Sequence, residues 1–99
     1  MSRVDFHPDA RAEFFESTLY YEAQQQGLGI RFRAAVQEGA QKIQSRPQLY
    51  PIIEDDVRQC RVQRFPYGVI YRIRGDAIQI IAVMHLHRKP GYWRERLES

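Results

Sequence analysis

Apolar residues recur along this chain with two different periods, and the change of period divides it. From Pro8 to about Ser45 they return every three or four positions, which predicts helices; from Val57 onward they alternate or gather in short runs, which predicts strands. A short strand, Arg3 to Phe6, precedes the first helix. Pro8 and Asp9, with Glu13 close behind, mark that helix's start. Ala12, Phe15, Leu19 and Ala23 share one stripe, expected to face the core. Gly27 and Gly29 end the helix and turn the chain. The stretch IRFRAAVQEGAQKIQS is a second helix, with Phe32, Val36, Ala40 and Ile43 on its inner face, and Pro47 stops it. A short loop between two helices implies an antiparallel helical hairpin.

Residues 46–56 form a connector that two prolines keep irregular, with Tyr50, Ile52 and Ile53 expected to pin it to the core. In VRQCRVQRF, Cys60 and Val62 point one way while Arg61 and Gln63 point the other. In FPYGVIYRIR, Tyr67, Val69, Tyr71 and Ile73 share one face, and Gly68, Ile70, Arg72 and Arg74 the other. Gly75-Asp76 suits a two-residue hairpin turn, and AIQIIAVMHL is apolar on nearly both faces, as a central strand is. Pro90 to Leu97 predicts a short helix or turn that docks through Trp93 and Leu97. The order is β-α-α-β-β-β with a short C-terminal helix, an α+β class: a helical hairpin packed on a small, mainly antiparallel sheet.

Ninety-nine residues make one domain, and a hydrophobic content of 43% is that of a globular chain. The single Cys60 rules out an internal disulfide and suits a reducing compartment. Neither a membrane-crossing run nor the apolar stretch of a signal peptide is present, so a cytoplasmic location with no membrane partner is expected. Charge sharpens the picture. Residues 1–57 carry six cations and nine acids, whereas residues 58–99 carry nine cations and three acids. A basic second half points to an anionic partner, either nucleic acid or an acidic protein segment, or else to a merely solvated strand surface. Arg61, Arg64 and Arg72 would form a cationic stripe across adjacent strands.

The closing MHLHRKPGYW admits three readings. His85 and His87 lie two apart and on a strand face one side, so they have the spacing of a metal pair. Only Cys60 and His7 remain as further soft ligands, and no spacing links them, so no metal and no cofactor are expected. His87 with Arg88 and Tyr92 would make an acid–base set for RNA cleavage, because histidine titrates near neutral pH. The third reading is structural: a central strand leaves the core and Trp93 covers its end, leaving His87, Arg88 and Lys89 for contact with a partner. Elsewhere, Tyr20 and Tyr21 look like stacking aromatics but fit core packing better. Glu54-Asp55-Asp56 fits a solvated loop better than a metal cluster. Cys60 reads as a small buried residue.

Several phrases together, HPDARAEF, GLGIRFRAAV followed by RPQLYP, FPYGVIYRI and AVMHLHRKPGYW, resemble the RelE/ParE superfamily of toxins from type II toxin–antitoxin pairs, over almost the whole chain. The resemblance implies one of two activities. RelE-like members cleave messenger RNA on the ribosome; ParE-like members are known for inhibiting DNA gyrase. RelE-like nucleases carry an arginine directly after the tyrosine that here is Tyr67, and this chain has Gly68 there. One of their sheet lysines falls on Arg61, a poor base because guanidinium stays protonated, and another falls near the uncharged Gln59. Their closing arginine and tyrosine are matched loosely by Arg88 and Tyr92. The tail HLHRKPGYW looks more ParE-like.

The resemblance therefore implies a ParE-like toxin that binds a protein target, with gyrase the named candidate, and a cognate antitoxin in a hetero-oligomer. Such an antitoxin would lie over the sheet and the hairpin and meet Arg61, Arg64 and Arg72 with acids; His87, Arg88, Lys89 and Trp93 complete the contact set. The alternatives are a RelE-like endoribonuclease working through Arg61, His87, Arg88 and Tyr92 with the ribosome as partner, and a non-toxic binding module on the same fold.

Overall fold

The computed structural model describes residues 2–98. Strand β1 (Arg3–Phe6) leads into helix α1 (Pro8–Gln24), helix α2 (Leu28–Ser45), and strands β2 (Ile52–Glu54), β3 (Val57–Arg61), β4 (Tyr67–Arg74) and β5 (Ala77–His85). A single 3-10 turn, Arg94–Glu98, closes the chain. The sheet order is β1-β5-β4-β3-β2; β1 runs parallel to β5 and every other pair is antiparallel. This is the expected α+β arrangement with one addition: the connector contains an edge strand, β2, which the prolines before it and the acids after it disguise.

Local chemistry accounts for the ends of each helix. His7 caps α1 by accepting the Asp9 N–H on Nδ1 at 3.0 Å, and Pro8 occupies the first turn, where a missing N–H costs nothing. Gly27 starts α2 with φ +89°, and α2 has no side-chain cap of its own. Glu22 of α1 serves instead, accepting the Gly27 N–H at 2.9 Å and the Gly29 N–H at 3.0 Å. A carboxylate there also faces the positive end of the helix dipole. Gly29 lies inside α2 rather than in the turn. A Cβ at Gly29 would stand 2.6 Å from the Thr18 carbonyl oxygen, so the close approach of the two helices requires glycine.

The hairpin packs on one face of the sheet. Phe32, Val36 and Ile43 of α2 are buried there against Cys60, Val69, Tyr71, Ile78 and Ile80, as expected of that helix face. Helix α1 reverses the expectation. Phe15 and Leu19 are 63% and 54% exposed, and the buried side is Ala10, Phe14 and Tyr21. Apolar residues surround this helix, so periodicity offered two stripes. The inward one carries the aromatic rings that meet Phe6, Phe32, Phe65 and Tyr67 at centroid distances of 5.0–6.2 Å. Ile52 and Ile53 are likewise exposed on the edge strand rather than pinned to the core, while Tyr50 does pack against it.

A second apolar cluster lies on the opposite face of the sheet: Val57, Ile70, Ile81, Ala82, Met84 and Trp93. A bulge makes it possible. Tyr71 pairs with Ile80 but Ile70 pairs with Ala82, so Ile81 is an extra residue in β5. Ile80 faces the helices and Ile81 faces the other way, which explains why β5 reads as apolar on both faces. The tail crosses this second face and is held by three ties. Trp93 is 2% exposed, Arg72 donates from Nη2 to the Leu97 carbonyl at 2.8 Å, and Arg94 pairs with Glu54 at 2.6 Å. Trp93 and Leu97 thus dock the tail as expected. None of the described helices is long and apolar enough to cross a membrane.

Candidate functional site

The parallel strand β1 is short, and its shortness builds an unusual site. Pairing with β5 stops at Phe6 opposite Ile80, where the His7 N–H still reaches the Ile80 carbonyl at 2.8 Å. Further along, β5 has no strand on that edge, and the backbone groups there need partners. Side chains supply them. Glu13 of α1 accepts the Val83 N–H on Oε1 at 3.1 Å, and Arg96 donates to the Ile81 carbonyl at 3.0 Å. The two are also a two-pronged ion pair, both contacts at 2.9 Å, with side chains only 14–15% exposed. Tyr92 completes the group by donating its hydroxyl to Glu13 Oε2 at 2.6 Å. Burial, and then the bond to Glu13, push the Tyr92 phenol well above its ordinary range. From the sequence Glu13 read only as part of a helix start and Arg96 carried no role, because nothing local marks a carboxylate that serves a strand seventy residues away.

This network decides how the closing residues are presented. Tyr92 is half-buried and occupied, and Arg88 stacks on its ring with the guanidinium carbon 4.0 Å from the centroid. His87 and Lys89 are exposed in the loop after β5. The His87 N–H donates to His85 Nδ1 at 3.1 Å, and the two imidazole rings are 5.1 Å apart. His87, Arg88 and Lys89 therefore form one exposed basic loop, whereas Trp93 is buried in the second cluster and offers no surface. Among the described residues no three His, Cys, Asp or Glu side chains converge to hold a metal ion.

The expected stripe of Arg61, Arg64 and Arg72 does not form. Arg72 is 7% exposed beneath the tail, donating to Gln79 Oε1 and the Leu97 carbonyl. Burial pulls its pKa down from the usual guanidinium value. Arg61 and Arg64 remain exposed, at the end of β3 and in the turn after it, where Arg64 takes φ +71°. They face helix α2 across two adjoining clefts. Arg61 lines one of about 340 Å³ with Lys42, Tyr50, Gln59 and Gln63; Arg64 lines the other, about 450 Å³, with Arg31, Glu38, Gln63 and Phe65. The cationic surface is thus a band between sheet and helix, made by Arg31, Arg61, Arg64 and Lys42, the last paired with Glu38 at 3.2 Å. Arg31 and Lys42 are eleven residues apart, three helical turns, so their common face was available from spacing alone.

Gly68 sits opposite Arg61 across the β3–β4 pairing. The side chain of Gln59 lies over it: a Cβ at Gly68 would meet Gln59 Cγ at 3.1 Å and Cδ at 3.2 Å. The space in which an arginine would hold a phosphate is filled by an uncharged amide. Cys60, beside it, is buried, and desolvation raises its thiol pKa, so it is not a nucleophile.

The sequence pattern described as "ParE toxin of type II toxin-antitoxin system, parDE" matches residues 4–90. The chain belongs to this ParE toxin family. No curated protein is similar enough in sequence to stand as a relative. Among solved structures, a chain described as "Chromosomal ParDE TA system from P. aeruginosa" superposes with a TM-score of 0.63 at 20% identity. The match covers 86% of the present chain and 96% of that one, a likeness of fold. ParE membership agrees with the glycine at position 68 and with the occupied Tyr92. It places this chain in the branch toward which its tail pointed.

Proposed function

We propose that this ParE-family chain inhibits growth in the cytoplasm by docking on a protein target, with DNA gyrase the first candidate, and that a cognate antitoxin neutralises it. The observation that carries this reading is the state of the groups that RNA cleavage would need. Gln59 covers Gly68, Tyr92 is committed to Glu13, and Arg88 is stacked on Tyr92. Cleavage through a ribose hydroxyl needs a base, an acid and a cation converging on one phosphate. Arg61, a guanidinium, cannot be the base. What remains is an exposed basic surface in two places, the band of Arg31, Arg61 and Arg64 beside the Lys42–Glu38 pair and the loop His87–Lys89, which suits docking on an acidic protein surface.

In this reading the antitoxin lays an acidic segment along the band, and the exposed row of Phe15 and Leu19 gives its apolar residues a place to pack. Purified protein should block supercoiling by gyrase while leaving messenger RNA on ribosomes intact. Unaffected gyrase would remove that target; cleaved RNA would replace docking with catalysis, and Arg61, His87, Arg88 and Tyr92 would return as its residues.

A further inference from the structure

Away from the cationic band, a cleft of about 440 Å³ opens between the first helix and the ends of β4 and β5. Glu16, Ser17, Tyr20, Tyr21, Tyr67 and His85 line it. Its walls are aromatic and turned sharply against one another. Tyr20 and Tyr21 are 5.4 Å apart at 74°, Tyr21 and Tyr67 6.1 Å at 64°, and Tyr67 and His85 5.1 Å at 74°. Rings arranged this way line the cleft with both faces and edges rather than as a parallel stack. Tyr21 and Tyr67 also belong to the core, which fixes two walls, while Tyr20 is 59% exposed and stands at the mouth. Core packing therefore explains Tyr21 but not Tyr20.

Charge identifies what the cleft takes. The chain carries fifteen Lys and Arg side chains, yet none of them lines this cleft. Its one acid, Glu16, makes no ion pair among the described residues. An unneutralised carboxylate beside several aromatic rings attracts a cation, through the ring quadrupole as well as by direct charge. A nucleotide fits less well, because its phosphate would meet Glu16 with no Lys or Arg in the lining to offset the repulsion. Among biological cations, guanidinium is planar and weakly hydrated and stacks on tyrosine. On the same helix, one position round from Glu16 and Tyr20, the exposed Phe15 and Leu19 form an apolar row along which a peptide can lie.

We propose that this cleft binds an arginine side chain presented by a protein partner, with Tyr20, Tyr21 and Tyr67 around the guanidinium, Glu16 pairing with it, and Phe15 and Leu19 seating the flanking residues. The site lies apart from the cationic band, shares Phe15 and Leu19 with the antitoxin surface proposed above, and does not depend on what the toxin's target is. It asks of the partner a basic residue within an apolar stretch, where the band asks for acids.

The test titrates the full-length protein with a capped five-residue peptide, alanine-leucine-arginine-leucine-alanine. In parallel it uses the same peptide with citrulline, the uncharged shape mimic, in place of arginine, and adenosine monophosphate. Ring signals of Tyr20, Tyr21 and Tyr67 are followed by NMR. The arginine peptide should shift them saturably and bind about 5- to 30-fold more tightly than the citrulline peptide, the range expected for a cation over aromatic rings. Glu16→Gln and Tyr20→Ala, both at exposed positions, should each remove most of that preference while the fluorescence of buried Trp93 stays native. Equal binding of the two peptides, shifts confined to other residues, no binding, or stronger shifts with adenosine monophosphate would each overturn the proposal, the last in favour of a nucleobase site.

Discussion

Glu13 answers four groups at once: the Val83 N–H, both prongs of Arg96 and the Tyr92 hydroxyl. A carboxylate so engaged stabilises the fold as a unit: removing it takes the acceptor from the Val83 N–H and the two-pronged pair from Arg96, which keeps the Ile81 carbonyl and the looser contact with Asp9. Glu13→Ala should therefore cost about 3 kcal/mol in urea unfolding, as breaking a buried pair does. Glu13→Gln keeps an acceptor for Val83 and should cost roughly half that. Equal losses in the two variants would mean that the acceptor kept by Gln contributes nothing and that the charge carries the whole effect. Gly29 offers a second test, with a sign opposite to helix propensity. Alanine is favoured over glycine inside a helix by about 1 kcal/mol. Here its Cβ would meet the Thr18 carbonyl at 2.6 Å, and backbone cannot swing aside. Gly29→Ala should destabilise by about 2 kcal/mol despite the propensity gain; a stabilised variant would show that the helices separate freely.

Among the elements, the tail is held in part by a polar tie that acid can cut. Arg94 donates to the Glu54 carboxylate and holds its pKa below the ordinary carboxylate value. A lowered folded pKa means that the tie is fully present above the unfolded carboxylate range, about pH 4.3, and is lost as pH falls through the lower folded value. Near-ultraviolet circular dichroism of Trp93 should report a transition in that acid window, ahead of global unfolding, and Arg94→Ala should abolish it. An unchanged transition in the variant would place its origin elsewhere. Which elements were legible follows from how local their signals are. The start of α1 at Pro8, the inner face of α2, the Gly75-Asp76 turn and the two-faced apolar β5 all announce themselves within a few residues. Strand β2 did not, since three residues between prolines and acids carry no alternation. The orientation of α1 did not either, because Phe14 and Phe15 are neighbours and only the tertiary partners of Phe14 choose between them. For the same reason Arg72 read as surface: strand parity placed it on the outer face, but only the fold reveals that the tail covers that face.

At the scale of the whole molecule, charge is sorted by place. The band of Arg31, Lys42, Arg61 and Arg64 runs between α2 and the end of β3, the loop His87–Lys89 leaves β5, and the acid Glu16 lies in the aromatic cleft. If an acidic antitoxin segment covers the band, replacing Arg61 and Arg64 together by Glu should weaken the complex at least tenfold near 0.1 M salt, and the difference should shrink toward 1 M as screening shortens to about 3 Å. A loss that salt does not change would put the contact down to shape alone. Docking rather than cutting is the claim on which the account stands, and the state of messenger RNA in cells arrested by this chain tests it most directly. Mapping transcript 5′ ends after induction should find them where they were before growth stopped. New ends within translated codons, lost on Arg61→Ala or His87→Ala, would contradict it.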